Sequence, residues 1–127
     1  MTLDINAVVP QGRQLIQSYG DGRFKITGVA HEGSVIVFPE ETVRWHAGHI
    51  GEITPESLHP VFDAEAAVDI LLIGCGMTFE AVPKGLRAAL KESGIVLEWM
   101  DTGAACRTYN VLVAEERRVA AAILAVD

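Results

Sequence analysis

The stretch IVLEWMDTGAACRTYN, residues 95–110, decides the fold class. Ile95 to Met100 is an apolar run of strand length, and Asp101-Thr102-Gly103 is an acid, hydroxyl and glycine turn. Ala104 to Leu112 then continues at helical spacing. In open α/β sheets the turn that follows a buried strand is where ligands gather. Arg107, Thr108, Tyr109 and Asn110 give this helix more hydrogen-bonding groups than packing alone requires.

Working outward from that segment, Val68 to Ile73 is a second apolar run, broken only by Asp69, as expected of a strand buried on both faces. Pro83 starts a helix that Gly94 ends, with Leu86, Ala89 and Leu90 on one side. Past Leu112, Val119, Ala122, Ile123 and Val126 recur at helical spacing. They predict a last helix over Glu116 to Val126, with a break near Val113 where Glu115-Glu116 interrupts the seam.

The first third reads as β. Arg13 to Tyr19 alternates, Gly20-Asp21-Gly22 supplies a tight turn, and Phe24 to Thr27 alternates again, which signals a hairpin. His31-Glu32-Gly33 turns the chain into a strand over Ser34 to Phe38, closed by Pro39, and Thr42 to Trp45 adds a short strand. Thr54-Pro55-Glu56 looks like the start of a short helix, with Thr54 as N-cap. The expected order is a β-hairpin region followed by β-α-β-α, with the two later strands parallel by a right-handed crossover.

The bulk numbers narrow the function classes. At 127 residues with no linker or repeat, residues 1–127 are expected to form one domain. The net charge is −7, with 4 basic and 9 acidic residues in 1–66 and 6 and 8 in 67–127. Neither half carries a basic stripe, so nucleic acid is not an expected partner. Half the residues are hydrophobic and the mean hydropathy is +0.27. That raises the expectation of a partner surface or a homo-oligomer. Met1 to Val9 holds Asp4 and no basic region, so it does not read as a signal peptide, and no apolar run is of membrane-spanning length. Two cysteines, Cys75 and Cys106, fit a reducing cytoplasm.

Several features invite chemistry. Gly74-Cys75-Gly76 suggests a dinucleotide fingerprint, yet the third glycine would fall at Phe79 and the next helix starts only near Pro83. A tight strand exit accounts for it better. A right-handed β-α-β unit brings Gly74, Cys75 and Gly76 to the same sheet edge as Asp101 and Thr102. Helix N–H groups there, with Arg107, Thr108 and Asn110, form a candidate anion or metabolite site. Simple capping of the helix by Asp101 or Thr102 is the plainer account. Cys106 in a first helical turn, with Cys75 nearby, raises thiol chemistry, but small buried cysteines are common in cores. His46 and His49, with His59 beyond, lack a clear ligand spacing, so no metal and no cofactor is expected. Glu115-Glu116-Arg117-Arg118 is a solvated charge run or a docking patch, with Arg117, Arg118 and Val119 as partner-binding candidates.

Tyr19-Gly20-Asp21-Gly22-Arg23-Phe24, EGSVIVFP (32–39), Trp45, LLIGCG (71–76), then proline and leucine, and MDTGAACRTYNVLVAEERRVAAAIL (100–124) form one pattern. It resembles a small α/β family that includes a mitochondrial respiratory complex I assembly factor and many bacterial and archaeal relatives. The resemblance runs from about Gln14 to Leu124. It implies a three-layer β plus α/β fold with a central mixed sheet. It also implies no established enzymatic activity among bacterial members, and a non-catalytic role in the mitochondrial one, which associates with the inner membrane and with another assembly factor. Relatives often carry Gly-Thr-Gly where this chain has Gly74-Cys75-Gly76, which counts against chemistry needing that hydroxyl. Without a mitochondrial leader, the chain is expected to be bacterial.

Together these point to a non-catalytic interaction or assembly factor aiding biogenesis of a membrane-bound respiratory complex. Its expected partners are proteins such as respiratory-complex subunits or assembly proteins. Its expected place is the cytoplasm, with peripheral contact to the inner membrane left open. The alternative is a small-anion or metabolite-binding protein, an enzyme among its variants, with a crevice at Gly74–Gly76 and Asp101–Asn110.

Overall fold

The computed structural model of the protein describes residues 2–4 and 12–127, so most of the N-terminal stretch read above as no signal peptide lies outside the described residues. A four-stranded antiparallel sheet is built from β1 (Thr2–Asp4), β2 (Ile16–Gly20), β3 (Arg23–Ile26) and β4 (Val29–Glu32), in that order. The predicted hairpin is β2–β3. Gly20 pairs with Arg23, leaving Asp21 and Gly22 as a two-residue loop with φ of 54° and 74°, the positive values a type I′ turn demands.

Strand β4 replaces the turn expected at His31-Glu32. All its residues are exposed or half-buried, so it shows no apolar alternation. Its pairing is set instead by a second two-residue turn at Thr27-Gly28, between the paired Ile26 and Val29.

The second sheet has five strands in the order β6-β5-β9-β7-β8: β5 (Val35–Val37), β6 (Thr42–Arg44), β7 (Ile70–Gly74), β8 (Val96–Met100) and β9 (Val119–Ile123). β7 runs parallel to β8 and β9, and β5 runs antiparallel to β6 and β9, so the sheet is mixed. The two short helical turns Glu56–Leu58 and α1 (His59–Phe62) follow the predicted Thr54 cap, whose Oγ1 accepts the Ser57 N–H at 3.1 Å. α2 (Leu86–Glu92) starts three residues past the predicted Pro83, after Gly85 at φ 85°, and buries Leu86 and Leu90. α3 (Thr102–Ala114) runs uninterrupted through Val113.

The predicted last helix is a strand. Residues 119–123 are buried without exception, and β9 lies at the centre of the sheet between β5 and β7. Val119, Ala121 and Ile123 enter one core, while Ala120, Ala122 and Leu124 enter the other, a period of two. A strand packed on both faces is a continuous apolar run, which mimics helical spacing when it is short and alanine-rich. β8, read as a buried strand, is an edge strand. Leu97 and Trp99 are buried while Val96 and Glu98 are exposed.

Two cores sandwich the five-stranded sheet. One holds Leu15 together with Ile16, Phe24 and Ile26 of the first sheet against Cys106, Tyr109 and Val113 of α3 and one sheet face. The other packs Trp45, Leu58, Leu86, Leu90 and Trp99 on the opposite face. The chain is therefore a mixed α/β fold in three layers, as the resemblance implied.

Candidate functional site

The C-terminal ends of β7, β8 and β9 meet the start of α3, as the β-α-β reading required. The Asp101 carboxylate accepts the Ala104 N–H at 2.8 Å and so caps α3. Thr102 is 1% exposed; its hydroxyl donates to the Leu124 carbonyl at 2.7 Å and accepts the Gly76 N–H at 3.2 Å. The Thr102 N–H donates to the Gly76 carbonyl at 2.9 Å, and Leu124 N–H to the Gly74 carbonyl at 3.0 Å. A Cβ on Gly74 would lie 3.0 Å from Ile123 Cγ2 and from the Thr102 Cα, and 3.1 Å from Ala105 Cβ. Glycine is therefore required at 74 for the close approach of two strands and a helix. At this end of the sheet Thr102, Gly74 and Gly76 spend their polar groups on one another and on Leu124, forming a clasp.

Asn110, 4% exposed, is also occupied. Its carboxamide binds both backbone groups of Ile16, at 3.0 and 2.8 Å, and so fastens α3 to the first sheet. Thr108 is half-buried. Arg107 is exposed, with Nη1 lying beside Gly103. Cys75 and Cys106 sit in different cores on opposite faces of the sheet, so the two thiols do not form a pair. Burial pushes the Cys106 thiol well above the usual cysteine range, overriding the nearby Arg107 charge, so no thiolate nucleophile forms there near neutrality. Cys75 accepts the Glu80 N–H at 3.5 Å within the turn after β7. His31 lies in β4, and His46, His49 and His59 lie on loops and helix ends: His49 Nδ1 accepts the Gly51 N–H, and His59 faces Asp63 at 3.7 Å. Among the described residues no three His, Cys, Asp or Glu side chains gather in a metal-binding arrangement.

An open cleft of about 730 Å³ lies at the opposite end of the sheet, where β9 begins. Phe38, Val43, Val68, Val113 and Val119 supply apolar walls, and the 63–67 segment forms one side. Arg117 and Arg118 line it too, in the loop joining α3 to β9. Arg118 pairs with Asp69 at 2.9 Å and Arg13 with Glu40 at 2.9 Å. Val119 is not a surface residue: at 1% exposed it opens a central strand, so its side chain belongs to the core beneath the cleft. The charge run at 115–118 thus marks the end of a helix, not the start of one, and Glu116 turns the chain there at φ 60°. The cleft walls at Phe38, Val68 and Glu65 carry no motif. The signal that locates them is that PEE (39–41) and EERR (115–118) both fall at strand ends on the same sheet edge.

A four-stranded sheet and a helix laid over a five-stranded mixed sheet define the class: a two-sheet α/β protein of the Mth938-like kind. A Bordetella pertussis solution structure described as a Mth938-like domain superposes with a TM-score of 0.79 at 26% identity, covering 96% of this chain and 92% of that one. A Bartonella henselae crystal structure, described as an outer membrane protein, gives 0.83 at 38% identity, covering 91% and 98%.

The chain belongs to the family described as "Protein of unknown function (DUF498/DUF598)", whose model matches residues 16–124. It is 37% identical over 109 residues to an uncharacterized protein of Rhodobacter capsulatus, covering 86% of this chain and 82% of that protein. It is 34% identical over 110 residues to the Danio rerio NADH dehydrogenase [ubiquinone] 1 alpha subcomplex assembly factor 3, covering 87% of this chain. It spans 63% of that animal protein's length. Among the described residues no helix is long and apolar enough to cross a membrane.

Proposed function

We propose that the protein is a non-catalytic interaction factor that aids assembly of a membrane-bound respiratory complex. The observation that carries this reading is 34% identity over 87% of the chain to a protein named as an assembly factor of NADH dehydrogenase. The geometry is compatible with it. At the strand-end clasp that was the candidate ligand crevice the Thr102 hydroxyl is spent on Gly76 and Leu124, while an open cleft lies at the other end, beside Arg117 and Arg118. Catalysis needs a nucleophile or acid–base group within reach of a bound substrate. Cys106 is enclosed, and the groups at the clasp serve the fold. The partners on this reading are subunits or assembly proteins of the complex, met in the cytoplasm or at the inner surface of the membrane.

A crosslinked pull-down of the tagged protein from its own cells, membrane fraction included, tests this reading. Reproducible recovery of respiratory-complex subunits or assembly proteins is the expected result. A bait that repeatedly returns no such protein overturns it.

A further inference from the structure

The cleft combines apolar walls with an unbalanced charged rim. Eight charged residues line it: Arg13, Arg117 and Arg118 against Glu40, Glu41, Asp63, Glu65 and Glu116. Arg13 is taken by Glu40, and Arg118 by Asp69 outside the cleft. Glu41, Glu65 and Glu116 have no ion-pair partner among the described residues, and Asp63 faces only His59. Four carboxylates thus remain against the single guanidinium of Arg117. They are exposed and solvated, whereas Phe38, Val113 and Val119 beneath them are buried.

We propose that this cleft binds a short segment of a partner protein in which apolar side chains are flanked by lysine or arginine. The apolar residues would cover the valine and phenylalanine walls, and the flanking cations would reach Glu41, Asp63, Glu65 and Glu116. A volume of about 730 Å³ is in the range of ligand-binding clefts. A small polar metabolite fits less well, because such ligands are held by fixed, inward-facing polar groups. Here every buried side-chain polar atom among the described residues already has a partner. Charge of one sign on the rim chooses the partner and speeds encounter, while the apolar floor holds it. The inference rests on reading the chain as an interaction protein, and it reverses the sign expected for Arg117. As the lone unpaired cation on an acidic rim, it opposes a basic partner.

The test is site-specific photocrosslinking in the cells that make the protein, with a benzophenone amino acid replacing Ala67 on the cleft wall or Val29 on the outer sheet. Both sites are exposed, so the fold tolerates the probe. The expected result is a crosslink from Ala67 to a partner segment bearing apolar residues flanked by lysine or arginine. Its yield should fall about tenfold or more with Glu65→Lys plus Glu116→Lys, and hold or rise with Arg117→Glu, in step with like-charge repulsion. Partner crosslinks from Val29 alone would leave the interaction reading standing and overturn the cleft assignment. A crosslink from Ala67 to an acidic segment or to a second copy of this chain, or one indifferent to Glu65→Lys plus Glu116→Lys, would overturn the basic occupant. No crosslink from either site would overturn both.

Discussion

The carboxamide of Asn110 holds both backbone groups of Ile16: its oxygen accepts the N–H at 3.0 Å and its nitrogen donates to the carbonyl at 2.8 Å. These residues are far apart in sequence, and the pair ties α3 to β2. Both residues are buried, so neither Ile16 group has water as a substitute. Asn110→Ala is expected to lower stability by about 2–5 kcal/mol, the sum for two orphaned buried groups. Urea denaturation measures it, and a loss under about 1 kcal/mol would show that the pair contributes little.

Gly103 and Tyr19 form a second long-range fit. A Cβ on Gly103 would lie 2.5 Å from Tyr19 Oη, too close for either group to remain. Gly103→Ala is expected to cost roughly 1–3 kcal/mol despite the better helix propensity of alanine. Adding Tyr19→Phe removes the clashing oxygen and should recover about half of that loss or more, a coupling that a double-mutant cycle resolves. Strict additivity would contradict the assignment.

Stability should fall in alkali. Burial raises the Cys106 thiol and the Tyr109 phenol above their ordinary values, and the Glu40 charge adds to the effect at Tyr109. The unfolded chain then releases these protons first, at roughly pH 8.5 and 10. Unfolded protein binds fewer protons there than folded protein, so the contribution of these two groups to unfolding free energy is constant below about pH 8.5 and declines above it. Cys106→Ala should delay the onset toward pH 10, as read from melting temperatures across pH 7–11. A pH-independent melting temperature would refute the assignment.

The two ends of the Arg117-Arg118-Val119 segment should behave differently. Arg117 is exposed in a loop, and Arg117→Glu is expected to leave the melting temperature nearly unchanged. Val119 is 1% exposed in a central strand, and Val119→Asp would bury an unpaired charge, costing more than about 3 kcal/mol. Soluble, cooperative folding of Val119→Asp would contradict the placement of β9.

Legibility in the sequence tracked how local each signal was. The Asp21-Gly22 turn, the Gly94 stop and the Asp101 cap rest on residues within a few positions of the element they shape, and all three are as read. So is the meeting of Gly76 with Thr102, which follows from β-α-β connectivity. β9 was misread because alanine-rich residues 119–123 satisfy helical and strand periodicity equally. Only its position between β5 and β7 decides, and that is set by partners distant in sequence.

How far the candidate site was legible has a related explanation. Polar residues after a strand look available, yet Thr102 and Asn110 are consumed by Leu124 and Ile16, contacts that no local window contains. Conversely, the cleft is assembled from Pro39, Ala67, Val113 and Arg117, which no local window brings together.

The most direct test of the assembly role is to delete the protein from its own cells and resolve membrane complexes on native gels with subunit-specific detection. The account predicts loss of the mature NADH dehydrogenase complex with its subunits held in smaller intermediates, restored by the wild-type chain and not by Glu65→Lys plus Glu116→Lys. A complex of normal size and abundance in the deletion strain would contradict it.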